Sequence, residues 1–209
     1  MGKRLPTERA LAWLYLLWVL LLAGCGVTQP ALPHVGPDDV VLAFGDSLTY
    51  GTGVDAAQSY PMQLGQLIGR KVVAAGVPGE VTSQGATRLP GELDAVQPKL
   101  LLLCLGGNDL LRQMDAASIA ANLRTMVQEA RQRGIAVVLI GVPEPRLFGG
   151  VPKFYADIAA AAGVPYEGKV LKTVLFDNTK KSDAIHPNAA GYLMIAVALA
   201  TLLQQTGAL

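Results

Sequence analysis

A serine hydroxyl attacks a carbonyl only when a base takes its proton, and this chain offers few bases. It has two histidines, His34 and His186. His34 lies in a proline- and glycine-rich stretch near the start, which leaves His186 as the imidazole of the folded part. Asp183 stands three residues before it, followed by Ala184-Ile185-His186-Pro187. On a turn entering a helix, that spacing lets the carboxylate reach the far ring nitrogen, fix the tautomer and stabilise an imidazolium. Ser47 is the matching nucleophile, in Gly45-Asp46-Ser47-Leu48-Thr49-Tyr50-Gly51. The order Ser, Asp, His is that of the α/β-hydrolases, but Thr49 stands where their Gly-x-Ser-x-Gly elbow has its second glycine.

These residues need elements to hold them. Short apolar runs at 40–44, 71–75, 100–105 and 135–142 read as strands, with a weaker one at 164–166. Between them lie helical patterns. One runs from a Ser59 cap to about residue 68, and another starts from a Thr82 cap. Two more cover 118–133 and 153–162, each stopped by a following glycine, and the last covers 187–205. Strands buried on both faces and separated by helices form a parallel sheet covered on both sides. The expected fold is therefore three-layer α/β/α with a central parallel sheet of about five strands, flavodoxin-like in plan. Ligands of such sheets bind beyond the carboxyl ends of the strands. Ser47, Gly76-Val77-Pro78-Gly79-Glu80 and Gly106-Gly107-Asn108-Asp109 all follow strands directly.

These four blocks, in order and at ordinary spacing, resemble those of the SGNH (GDSL) hydrolases. With Ala86-Thr87-Arg88-Leu89-Pro90 they are most similar to the bacterial thioesterase I/lysophospholipase L1 and arylesterase group. The resemblance covers about residues 40–200. It implies an acyl-enzyme on Ser47, proton shuttling by His186 and orientation by Asp183. It also implies an oxyanion hole made by the N–H of Ser47, the N–H of Gly79 and the side-chain amide of Asn108. The expected substrates are short- and medium-chain carboxylic esters, thioesters or lysophospholipids, with no cofactor and no metal. Two rival readings stand beside it. One is an O-acetylesterase of polysaccharides, against which an aromatic content of 6% weighs. The other is a non-catalytic envelope lipoprotein that uses the fold for binding. Taken singly, Ser47 can be a helix cap, Asn108 a turn residue and His186 a surface helix start. Asp46 and Asp109 read as loop braces, Gly51 and Gly107 as turn glycines, and Lys180 and Lys181 as a solvated patch.

The amino terminus reads as an export signal. Lys3, Arg4 and Arg9 precede an apolar run over 11–23, shorter than the roughly 20 residues a spanning helix needs. It ends at Leu22-Ala23-Gly24-Cys25, which resembles a bacterial lipobox. The expected organisation is a signal peptide over 1–24, a lipidated Cys25 with a flexible tether to residue 38, and the hydrolase domain over 39–209. Several acyl chains anchor stably where one does not, so the expected location is the cell envelope. Gly26, rather than an aspartate, favours the outer membrane facing the periplasm. There, lysophospholipids or imported esters are nearer to hand than cytosolic acyl-CoA.

Bulk properties agree with one domain of this kind. The 209 residues are 51% hydrophobic, enough for a single full core. Lysine and arginine number 17 against 16 acids, and loss of Lys3, Arg4, Arg9 and Glu8 leaves 14 against 15. A near-neutral domain has no electrostatic footprint for nucleic acid, and a monomer acting on a small-molecule or lipid ester is expected. Cys104, in an apolar run, reads as a buried hydrophobe.

Overall fold

The computed structural model describes residues 29–146 and 149–209. The signal peptide and the lipidation site expected at Cys25 lie outside the described residues.

Five strands form one parallel sheet in the order β2-β1-β3-β4-β5. They are β1 (Val40–Gly45), β2 (Lys71–Gly76), β3 (Leu100–Cys104), β4 (Ala136–Ile140) and the two-residue β5 (Tyr166–Glu167). The centre is apolar because helices cover both faces there: every residue of β3 is buried, and all but the first of β1 and β4. β2 differs from the expectation of burial on both faces. As an edge strand it is only half covered, and Lys71 and Ala74 are exposed.

Among the described residues, eight α-helices cross between or flank the strands: α1 (Ser47–Tyr50), α2 (Tyr60–Ile68), α3 (Thr82–Val96), α4 (Gly107–Leu111), α5 (Ala116–Gln132), α6 (Lys153–Ala162), α7 (Val170–Leu175) and α8 (Ala189–Gln205). On one face α2 and α7 pack against α8, and on the other α5 packs against α3 and α6. The arrangement is the expected three-layer α/β/α sandwich.

Helix starts depart from the expected caps in an instructive way. Ser59 does occupy the cap of α2, but its hydroxyl donates to the Ala56 carbonyl (2.8 Å) instead of accepting from the helix. Thr82 lies inside α3, and its N–H donates to the Asp109 carboxylate. α5 begins earlier than its apolar spacing implied, because the Asp115 carboxylate accepts from Ser118 N–H at 2.8 Å.

The tether expected over 25–38 is not free along its described part. Gln29 bonds to both backbone groups of Tyr166. Leu32 N–H donates to Thr206 O and Val35 N–H to Ala208 O, each at 2.8 Å. Val35 is buried. Two apolar side chains spaced by prolines give this segment enough burial to lie along the domain, which the absence of periodicity concealed.

Candidate active site

The site grows out of the sheet order. β1 lies between β2 and β3, so the chain leaves β1 and β3 side by side and the crevice opens at their carboxyl ends. Ser47 follows β1 at the first position of α1, and Asn108 follows β3 within α4. The turn after β3 requires glycine. Gly106 has φ 114°, and a Cβ there would lie 2.3 Å from the hydroxyl of the buried Tyr155. That hydroxyl donates to Leu105 O at 2.9 Å and pins the same turn. Gly107, expected as a turn glycine, is instead the first residue of α4. A Cβ on it would crowd Val142 at 3.3 Å and the Asp46 carboxylate at 3.4 Å. Gly51 does fill its turn role, in left-handed backbone at the end of α1.

His186 and Asp183 sit on a loop pinned to that crevice. Ser182 N–H donates to His186 O at 3.0 Å, and Lys181 forms a bridge with Pro187. A Cβ on Gly53 would lie 2.1 Å from Ser182 Oγ, so the segment after α1 meets this loop closely. One carboxylate oxygen of Asp183 accepts the N–H groups of Ile185 and His186, both at 2.8 Å. The other is 2.7 Å from His186 Nδ1. With Nδ1–H donated to Asp183, Nε2 is left to accept from Ser47 Oγ, 3.0 Å away. Burial works to raise the Asp183 carboxyl, but the bonds from the ring and the two backbone N–H groups outweigh it. They hold it below the ordinary carboxylate range.

The groups expected to hold an oxyanion follow β1, β2 and β3. The Ser47 N–H opens a helix and has no intrahelical acceptor; neither it nor the Gly79 N–H donates among the bonds of the described residues. Gly79 is in left-handed backbone, φ 81°, and Arg112 donates to its carbonyl at 3.0 Å. The Asn108 amide donates to Glu80 O at 3.0 Å and faces Asp46 Oδ2 at 3.3 Å. Asn108 lines the cavity in front of Ser47; Gly79 is outside that lining, on the adjoining loop.

Two buried networks brace these loops, as expected for Asp46 and Asp109. Asp109 accepts both the N–H and the hydroxyl of Thr82, joining the turn after β3 to the start of α3. Asp46 accepts Leu48 N–H at 3.0 Å. Burial pushes its carboxyl up to about 7, against the pull of that bond and of His186. A third brace lay unread in the sequence. Arg88 forms a two-point pair with Glu80, both contacts 2.7 Å, and donates to Ala75 O and Gly45 O. It also stacks over Phe44, 4.0 Å from the ring centre. It ties the ends of β1 and β2 to the residue whose carbonyl holds Asn108.

The cavity in front of Ser47 measures about 530 Å³. As expected, much of its wall comes from residues 143–180, through Pro143, Glu144, Pro145, Arg146, Leu175 and Phe176. Lys181, read as solvated, also lines it. Leu48, Leu111, Val142 and Ile185 complete an apolar interior that no single periodic segment announced. Cys104 is buried with its thiol pushed up by burial, in keeping with a core role.

With this geometry the similarity to known proteins becomes specific. The chain matches the model of the GDSL-like Lipase/Acylhydrolase family over residues 43–194. The protein belongs to this family. It is 32% identical over 184 residues to Esterase TesA of Pseudomonas aeruginosa, covering 82% of this chain and 90% of that one. It is 30% identical over 174 residues to Thioesterase 1/protease 1/lysophospholipase L1 of Escherichia coli, covering 79% and 84%. A crystal structure of TesA superposes with a TM-score of 0.73 at 28% identity, covering 80% of this chain and 99% of that chain. The protein is thus a serine hydrolase of carboxylic esters on the SGNH fold.

Proposed function

We propose that Ser47 is the nucleophile, His186 the general base and then acid, and Asp183 the group that orients it. The Ser47 hydroxyl gives its proton to His186 Nε2 as Oγ bonds to the ester carbonyl carbon. The tetrahedral oxyanion is held by the N–H groups of Ser47 and Gly79 and by Asn108, which trades its long contact to Asp46 for the substrate oxygen. His186 returns the proton to the departing alcohol or thiol, leaving an acyl-enzyme. Water then repeats the sequence, and the acid leaves. Removing one such anion donor typically costs about 3–4 kcal/mol of barrier. The observation that carries this reading is the run of contacts from Asp183 through His186 to Ser47, 2.7 and 3.0 Å, at an apolar-walled cavity.

The substrates proposed are short- to medium-chain acyl esters, thioesters and lysophospholipids, the last named among the activities of the Escherichia coli relative. Among the described residues, the apolar part of the cavity wall is aliphatic and proline-lined apart from Phe176, which suits an acyl chain better than a sugar platform. The protein is proposed to be held in the envelope by lipid on Cys25, at the outer membrane facing the periplasm. Purified protein should hydrolyse p-nitrophenyl butyrate, and Ser47→Ala should not. Equal turnover by both would remove Ser47 from the mechanism. Fatty-acid labelling in cells should vanish in Cys25→Ala; label retained there would refute the anchor.

A further inference from the structure

Three features coincide at the carboxyl edge of the sheet. The first is where the chain joins the domain. Gln29 Nε2 donates to Tyr166 O at 3.2 Å, and its Oε1 accepts Tyr166 N–H at 3.0 Å. Tyr166 and Glu167 pair with Leu139 and Ile140, the last two residues of β4. Val142 and Pro143, just beyond, line the cavity. Cys25 is four residues before Gln29, so the two Cα atoms are at most about 14 Å apart.

The second feature is charge. Lys169, Lys172, Lys180 and Lys181 lie on α7 and the turn that follows it, and enter no ion pair among the described residues. The acids of the same stretch are engaged locally. Glu167 accepts the N–H groups of Lys169 and Val170, Asp177 accepts the N–H and the hydroxyl of Thr179, and Asp183 pairs with His186. From residue 167 to 186 there are four lysines against Glu167, Asp177 and Asp183. The third feature is apolar exposure. Phe176, Ile185 and Leu111 line the cavity, and Tyr50 and Val77 stand after β1 and β2, each between 40% and 60% exposed.

We propose that this edge, centred on α7, docks on the anionic bilayer that carries the protein's own Cys25 lipid, so that the cavity opens toward the lipid headgroups. The proposal rests on the lipid-anchor reading and adds the orientation that the anchor alone leaves open. A tether this short holds the β5 edge within reach of the interface. Lysines beside it meet anionic headgroups, and apolar side chains around the mouth enter the headgroup layer. Lysophospholipid would then pass from the bilayer to Ser47 without crossing bulk water.

The test uses protein matured from the full chain in bacteria and reconstituted into vesicles of phosphatidylethanolamine and phosphatidylglycerol. A fluorophore is placed on Thr173→Cys, exposed on α7, or on Lys99→Cys, exposed at the amino end of β3; buried Cys104 stays unlabelled. Lipids bearing a headgroup nitroxide should quench the Thr173 probe several-fold more than the Lys99 probe. That excess should shrink in 0.5 M salt, where the Debye length is about a third of its value at 0.05 M, and in Lys169→Gln/Lys172→Gln. The same double variant should hydrolyse soluble p-nitrophenyl butyrate normally while turning over vesicle-borne lysophosphatidylglycerol several-fold more slowly. Equal quenching at both positions on protein whose Cys25 carries the acyl mass overturns the orientation alone. Absence of that mass removes the anchor reading, and the proposal with it.

Discussion

Ser47 and Asn108 stand at the ends of β1 and β3, neighbouring strands buried almost throughout, and are braced by the buried carboxylates of Asp46 and Asp109. Asp183 and His186 stand on a loop at the surface, where the Asp183 side chain is half exposed and the loop's support comes mainly from bonds within residues 179–188. Ser47 and Asn108 are therefore set directly on the core, whereas Asp183 and His186 are added to its rim. Substitution on the first side should disturb fold and chemistry together; on the second, chemistry alone.

The largest effect expected on the loop side comes from Asp183→Asn. Its remaining carbonyl oxygen can still accept the two backbone N–H groups. Its amide would face His186 Nδ1 and force the proton onto Nε2, where it blocks transfer from Ser47. A loss of about 10³- to 10⁴-fold in kcat is expected, with the melting temperature unchanged. A fall in melting temperature of several degrees would show that the loop carries fold stability after all.

Next comes Asn108→Ala, on the core side. It should lower kcat by about 10²- to 10³-fold. It should also destabilise the fold by about 1 kcal/mol, because the Glu80 carbonyl loses its donor. Urea denaturation beside steady-state kinetics measures both. Unchanged stability would erase the contrast between the two halves.

Asp46 sharpens the same contrast through pH. Its carboxyl keeps a proton up to about 7 in the fold, against an ordinary value of 3.8. Between those values the folded chain binds more proton than the unfolded one, so this group makes stability fall as pH rises toward 7. Asp46→Asn should narrow the stability difference between pH 5 and pH 8 by a few kcal/mol, read from urea midpoints at both values. An identical pH dependence would mean that Asp46 does not retain its proton.

The smallest effect is expected at the exposed wall. Phe176→Ala should raise KM for octanoyl over butyryl esters by about three- to tenfold, with kcat for butyrate and stability little changed. Equal KM shifts for both esters would mean that Phe176 does not contact the longer chain.

The same division explains what the sequence made legible. β1, β3 and β4 were readable because burial on both faces writes an unbroken apolar run. Ser47, Asp183 and His186 were readable because few bases exist and each block follows a strand. The short helices α1, α4 and α7 span four to six residues, too few for a 3.6-residue period to declare itself. Asp109 caps α3 from 27 residues away, and the Arg88 brace joins Gly45, Ala75 and Glu80. Both are tertiary facts that no local window contains. The lining of the cavity is of the same kind, since Leu48, Leu111, Val142 and Ile185 come from four separate segments.

The proposed role of Ser47 as the activated nucleophile is tested most directly by reacting the enzyme with an alkyl fluorophosphonate and mapping the adduct by mass spectrometry. One adduct per chain is expected, on Ser47, formed in step with loss of esterase activity and suppressed in His186→Ala. Inactivation with the adduct on any other residue, or full activity with Ser47 modified, would contradict the account.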